Sequence, residues 1–143
     1  MAITSAVCST FKQELLKGTH DFDGGATYKI ALYTSGASMG ASTTAYSTSS
    51  ETSGTGYTAA GATLTSPAVA LSSTTAYIDF ANATWSTSSF VANGALIYRS
   101  DGSAPTNDAV CVIAFGGDYT STNGTFTIQF PSPAASTALL RLA

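Results

Sequence analysis

Charge is scarce in this chain: 9% of its residues are Asp, Glu, Lys or Arg, against roughly 25% in an ordinary domain. Five basic residues face eight acidic ones, for a net charge of −3. That excludes the cationic surface needed to grip nucleic-acid phosphates. Histidine and cysteine are nearly absent, with only His20, Cys8 and Cys111. These cannot supply the clustered ligands of a zinc site. His20 is also the only histidine a serine nucleophile could recruit, and no G-x-S-x-G elbow occurs. It is read as a turn or surface residue. No stretch approaches the ~18 consecutive apolar residues of a membrane-crossing helix. Met1–Val7 has neither a basic region nor a long apolar run, so it is not read as a secretion signal. Cys8 lies on an apolar helix stripe and Cys111 in an apolar run. Both are read as free, buried thiols, pointing to a reducing compartment of synthesis.

What the chain has instead is hydroxyl and apolar surface. Ser and Thr number 20 and 23 of 143 residues, and 44% of the chain is hydrophobic. A chain this long buries about two-thirds of its unfolded surface, enough for one core without metal or disulfide staples. Asn82-Ala83-Thr84 and Asn123-Gly124-Thr125 match the glycosylation sequon, as chance allows in so Ser/Thr-rich a chain.

Val7, Phe11 and Leu15, flanked by Cys8 and Leu16, predict one amphipathic helix over residues 5–17. Thr4 or Ser5 would cap it, Lys17 suits its C-terminal dipole, and Gly18 stops it, with Lys12, Gln13 and Glu14 facing water. So short a helix is unstable alone and must dock on something. From Tyr28 the hydrophobic period becomes two, predicting a half-buried strand over 28–33. Strand patterns follow near 56–65, 67–72, 75–80, 90–99, 108–115, 124–130 and 137–142. Phe126, Ile128 and Phe130 alternate with Thr125, Thr127 and Gln129, giving one core face and one wet face. Residues 95–98 and 108–115 are apolar on both parities and are expected to be covered on both sides. Asn93-Gly94, Asp101-Gly102, Gly116-Gly117-Asp118 and Asn123-Gly124 read as turns, the last as the best hairpin turn. The expected fold is mainly β: a single-domain β-sandwich, jelly-roll-like, with one short N-terminal helix and a long Ser/Thr-rich loop over 35–55. Ser-Thr-Thr-Ala-Tyr occurs at 42–46 and 73–77 without a third copy, so it is not read as a structural repeat.

Few constellations carry chemistry. Asp21-x-Asp23-Gly24 begins like a calcium loop but lacks its closing glutamate, and a turn accounts for it. Asp101 and Asp108 flank a loop containing Pro105; paired carboxylates need a set separation in a cleft, and loop aspartates normally form turns. Catalytic residues, metal and cofactor are therefore all expected to be none. Tyr46, Glu51, Tyr57, Trp85 and Tyr119 are the candidate contact residues, because aromatic rings offer large apolar area at low entropic cost. A single Trp such as Trp85 is more often core than contact; if exposed, it is an interface anchor or a sugar-stacking platform.

Several segments together resemble a known group of proteins. They are Met1-Ala2-Ile3-Thr4-Ser5-Ala6-Val7-Cys8-Ser9-Thr10-Phe11-Lys12-Gln13-Glu14-Leu15-Leu16, His20-Asp21-Phe22, and Thr27-Tyr28-Lys29-Ile30-Ala31-Leu32-Tyr33. Ser53-Gly54-Thr55-Gly56-Tyr57-Thr58-Ala59, Ile78-Asp79-Phe80 with Thr84-Trp85, Gly94-Ala95-Leu96-Ile97-Tyr98 and Phe126-Thr127-Ile128-Gln129-Phe130-Pro131 complete the set. Covering nearly the whole chain in order, they resemble small virion structural proteins of tailed bacteriophages. The resemblance implies a non-enzymatic capsid cement (decoration) protein on the outer shell, made in the host cytoplasm. Its partners would be the major capsid protein and other copies of itself, as a homodimer or homotrimer at a symmetry axis, with no nucleic acid and no membrane. A tail, baseplate or fibre component is the alternative, and a sugar-binding module a third. On the cement reading, the helix packs on its own domain while loop 35–56 and the polar strands make the contacts, so deleting 40–52 should spare folding.

Overall fold

Where the apolar periodicity predicts the first turn of a helix, the chain forms a strand. The computed structural model describes residues 2–101 and 107–143. In it β1 (Ala6–Val7) precedes α1 (Ser9–Leu16). Ala6 pairs with Val112 and Val7 with Cys111, and the Cys8 N–H donates to the Val110 carbonyl at 2.9 Å. These main-chain bonds outcompete local helix propensity. Ser5 caps nothing, because its Oγ accepts the Ala114 N–H at 2.8 Å. At the other end Gly18, at φ 73°, ends the helix as predicted, and the Thr19 N–H returns to the Glu14 carbonyl at 3.1 Å.

The chain is mainly β, with 48% strand and 6% helix, in two antiparallel sheets. It is a β-sandwich-like single domain, as the sequence patterning predicts. The larger sheet joins β1 to β2 (Tyr28–Tyr33), β3 (Ala62–Thr63), β6 (Ala83–Arg99) and β7 (Ala109–Ile128) in the order β1-β7-β6-β2-β3. The smaller is β4 (Ala68–Ser72), β5 (Thr75–Asp79) and β8 (Leu140–Leu142), in the order β4-β5-β8. β4 and β5 fall where predicted, whereas β3 and β8 keep only parts of the expected 56–65 and 137–142.

β6 and β7 differ most from expectation. Residues 83–89, which carry no strand pattern, join 90–99, and the segments 108–115 and 124–130 fuse. The two strands run antiparallel from Ala83↔Ile128 to Tyr98↔Ala109, with several register shifts. Asn93-Gly94, Gly116-Gly117-Asp118 and Asn123-Gly124 therefore sit inside strands rather than between them. Between the pairs Ala92↔Tyr119 and Gly94↔Ala114, β7 carries surplus residues, Gly116-Gly117-Asp118 among them. This is a bulge, which bends a strand without ending it. Gly94 is needed for closeness: a Cβ there would lie 2.8 Å from Ile3 Cγ2 and 2.9 Å from the Ile113 carbonyl oxygen. The reversal between β6 and β7 falls near the Asp101-Gly102 signal; Gly102 and Pro105 lie outside the described residues.

β2 is buried on both faces, not half-buried, because loop 35–55 covers the side expected to be wet. The Tyr33 hydroxyl donates to the Ser47 carbonyl at 2.6 Å, and Tyr33 bridges Glu51. Of the two double-parity runs, Ala95–Tyr98 is buried as predicted, whereas 108–115 is buried only over Ala109–Val112, with Asp108 and Ile113–Phe115 part-exposed. Phe126, Ile128 and Phe130 are more covered than their polar neighbours, which are exposed.

Candidate docking surface

Three of the five candidate contact residues turn inward and bind one another. Glu51 is the hub. Its Oε2 accepts the Tyr46 hydroxyl at 2.6 Å, and its Oε1 accepts the Tyr57 hydroxyl and the Ala60 N–H, both at 2.7 Å. The Tyr57 oxygen in turn accepts the Leu32 N–H at 3.0 Å. Tyr46 stacks on Tyr98 with ring centres 4.7 Å apart. Burial raises the phenol pKa of Tyr46 and Tyr57, and the Glu51 carboxylate raises it further. Burial also lifts Tyr98, to about 12. Thr52, itself buried, fastens the same loop: its N–H donates to the Leu32 carbonyl at 2.8 Å and its Oγ1 to the Val91 carbonyl at 2.9 Å. Loop 35–55 is thus a buttress of the larger sheet rather than an arm.

Trp85 is corrected as a contact residue. It is 6% exposed, packed with its ring centre 6.0 Å from Phe126, 6.3 Å from Tyr57 and 6.4 Å from Phe90. Its strand belongs to the long β6–β7 pair, which carries it into the core, so it offers no sugar platform. Tyr119, at 56% exposure, is the one aromatic candidate left on the surface, its ring edge-on to Phe115 at 6.0 Å.

His20 is buried rather than a surface residue. Phe11 lies 4.7 Å from its ring, Phe22 and Tyr28 stack nearby, and Nδ1 shares a 3.1 Å hydrogen bond with the Tyr28 hydroxyl. Burial lowers its pKa, with the Arg99 charge pulling the same way. Asp21 Oδ1 accepts the Asp23 N–H at 2.9 Å, an ordinary turn. Asp101 takes Arg99 in a bidentate ion pair, with Nη2–Oδ2 at 3.0 Å. The Asp108 carboxyl is raised by burial, then by Glu14. Cys8 and Cys111 are free and buried, as read from the sequence. Burial lifts their thiols to about 11 and about 12. Among the described residues no three His, Cys, Asp or Glu side chains converge on a common point, and no helix is long and apolar enough to cross a membrane.

The feature with capacity to bind lies between α1 and the smaller sheet. Strand register puts Val69, Ile78 and Leu140 in one cross-strand row and Leu71, Ala76 and Leu142 in the next. Cross-strand partners share a face, so this face is wholly apolar. It looks across an open cleft of about 690 Å³ toward Val7, Phe11, Leu15 and Leu16. Ile78 is buried, but Leu16 is 91%, Leu71 72% and Leu142 61% exposed. The sandwich is unfinished here: two apolar walls border one open cleft, and three of their leucines stand largely in solvent. Lys12 and Arg141 line the cleft and no carboxylate does. The signal for this face was present as the alternation at 69/71, 76/78 and 140/142, but only strand register joins the three into one surface. No family model matches the chain, and no curated protein or solved structure matches it.

Proposed function

We propose that this chain is a non-enzymatic structural protein of a tailed-phage particle: a capsid cement protein that binds between major capsid proteins on the outer shell and holds the mature lattice together. One observation carries the assembly role, namely the apolar cleft left open on an otherwise packed, weakly charged body. Large apolar side chains grouped on a surface mark an interaction site, and covering one leucine fully is worth about 2 kcal/mol. Leu16, Leu71 and Leu142 together therefore provide a few kcal/mol, modest for one contact. Repetition over a shell, with each copy bridging two capsid subunits, multiplies such a hold through effective concentration. Low charge helps, because little ionic hydration is lost when the surface is covered. Capsid specificity comes from the resemblance of the segments quoted above. In this reading the protein is made in the host cytoplasm and resides on the capsid exterior, as single copies or as a homodimer or homotrimer at a symmetry axis.

The test is reconstitution on expanded shells that lack the chain. Purified protein should bind to saturation at a fixed ratio to capsid subunits and raise the shell's melting temperature. Shells that neither bind it nor gain stability refute the cement role. A tail, baseplate or fibre component remains the second reading, favoured by exposed Tyr119 on the far β7 ribbon. It predicts binding to purified tails instead.

A further inference from the structure

We propose that the cleft takes an extended segment of a partner protein, one with apolar residues alternating with carboxylates, added as a fourth strand to the free edge of β8. β8 pairs only with β5 among the described residues, so its other edge offers unpaired backbone N–H and C=O groups, a template for strand addition. Side chains of an added strand alternate between the two faces of the sheet. On one face they would meet Leu140 and Leu142 and fill the apolar cleft. On the other they would stand beside Arg141, which borders the cleft at the sheet edge and whose register partner is Tyr77.

Arg141 has no carboxylate partner among the described residues; its Nη1 donates to the Ala135 carbonyl at 3.2 Å. Opposite charges across neighbouring strands stabilise a sheet and like charges oppose it. A carboxylate opposite Arg141 is therefore the favoured residue, and the cleft behind it, lined by Lys12 and no carboxylate, adds no opposing negative charge. The same argument disfavours a second copy of this chain at that edge. β8 reads Leu140-Arg141-Leu142, so β8 against β8 would set arginine near arginine. Identifying the partner with a shell protein rests on the function proposed above; the cleft's preference for an apolar–acidic strand does not.

The experiment uses the full chain and two fluorescent, end-capped octapeptides, one alternating Val and Glu, the other Val and Lys, read by anisotropy. The Val–Glu peptide should bind the wild type and the Val–Lys peptide should not. Leu16→Asp should weaken the complex at least about tenfold. Arg141→Glu should invert the preference toward Val–Lys, an outcome that mere damage to the fold would not give. Leu16 and Arg141 are exposed, and cooperative melting of each variant checks that it folds. Equal affinity for the two peptides, or no binding of Val–Glu, overturns the proposal. So does a wild-type dimer that Leu16→Asp renders monomeric, since the occupant would then be a second copy. Stripped shells separate the two levels. Shell binding that survives both substitutions leaves the cement role standing and removes the cleft from it. Peptide binding with inverted preference but no shell binding supports the cleft and refutes the shell partner.

Discussion

Replacing Glu51 with alanine should destabilise the protein severely, though sequence reasoning marks Glu51 as a surface contact. Its carboxylate accepts three hydrogen bonds of 2.6 to 2.7 Å, from the Tyr46 and Tyr57 hydroxyls and the Ala60 N–H. A hydrogen bond to a charged group contributes about 1.5–3 kcal/mol net, and a buried donor left unpaired costs about 1–3 kcal/mol. Tyr46, Tyr57 and Ala60 are all part-exposed, so each of the three losses should fall at the low end of these ranges. The sum is about 3–4 kcal/mol, which for a domain near this size lowers the melting temperature by roughly 10 °C. Glu51→Gln, which keeps Oε1 for Tyr57 and Ala60, should lose about 1 kcal/mol, the charge-assisted part alone. Urea denaturation of the wild type, both variants, Tyr46→Phe and the double variant Glu51→Ala/Tyr46→Phe measures this. The double-variant cycle should show coupling between residues 46 and 51. If Glu51→Ala stays within about 0.5 kcal/mol of the wild type, the range of ordinary surface substitutions, the buttress does not exist and loop 35–55 is free.

Deleting residues 40–52 should abolish cooperative folding, because Tyr46, Glu51 and Thr52 leave with them; a variant that still melts as a single sharp transition in calorimetry contradicts this. Alkali should unfold the protein. Tyr28 and Tyr98 are raised to about 12 from 10.0, and Tyr33, Tyr46 and Tyr57 are raised further. The unfolded chain therefore releases protons that the folded one keeps, and stability present below pH 10 is lost as pH climbs through the folded values. Tyrosinate absorbance should appear together with loss of circular dichroism, and its smooth appearance in a folded protein would refute the burial of these rings. His20 acts at the acid side: its folded pKa lies below 6.5, so the unfolded state takes up the proton first. Its contribution is present above pH 6.5 and lost as pH falls through the folded value. The slope of urea midpoint against pH below 6.5 should flatten in His20→Gln, and an unchanged slope rejects the assignment.

Alternation made part of this architecture readable. β4, β5 and the run from Phe126 to Phe130 follow period two, and of the double-parity runs 95–98 is interior as expected while 108–115 is interior only at 109–112. Gly-containing signals misled because a bulge and a turn ask for the same residues: Asn123, at φ 47°, and Gly116, at φ 82°, curve β7 without reversing it. Tyr46 and Tyr57 looked exposed because their neighbours are Ser, Thr and Gly. A phenol in polar sequence goes inward when a distant acceptor waits for it, and Glu51 becomes that acceptor only after the loop folds back on β2. Leu16 shows the converse. Its place beside a helical stripe predicts cover, yet it lies one turn beyond exposed Lys12, on the same side of the helix, and is left on the cleft's rim. Burial of Trp85 depended on a β6–β7 pairing that local pattern does not show.

The proposed cement role requires many copies on each shell, and copy number per purified particle tests it most directly. Gel densitometry calibrated against the major capsid protein should return one copy per one or a few capsid subunits. A handful to a few dozen copies per particle would contradict the cement role and place the protein in the tail or baseplate.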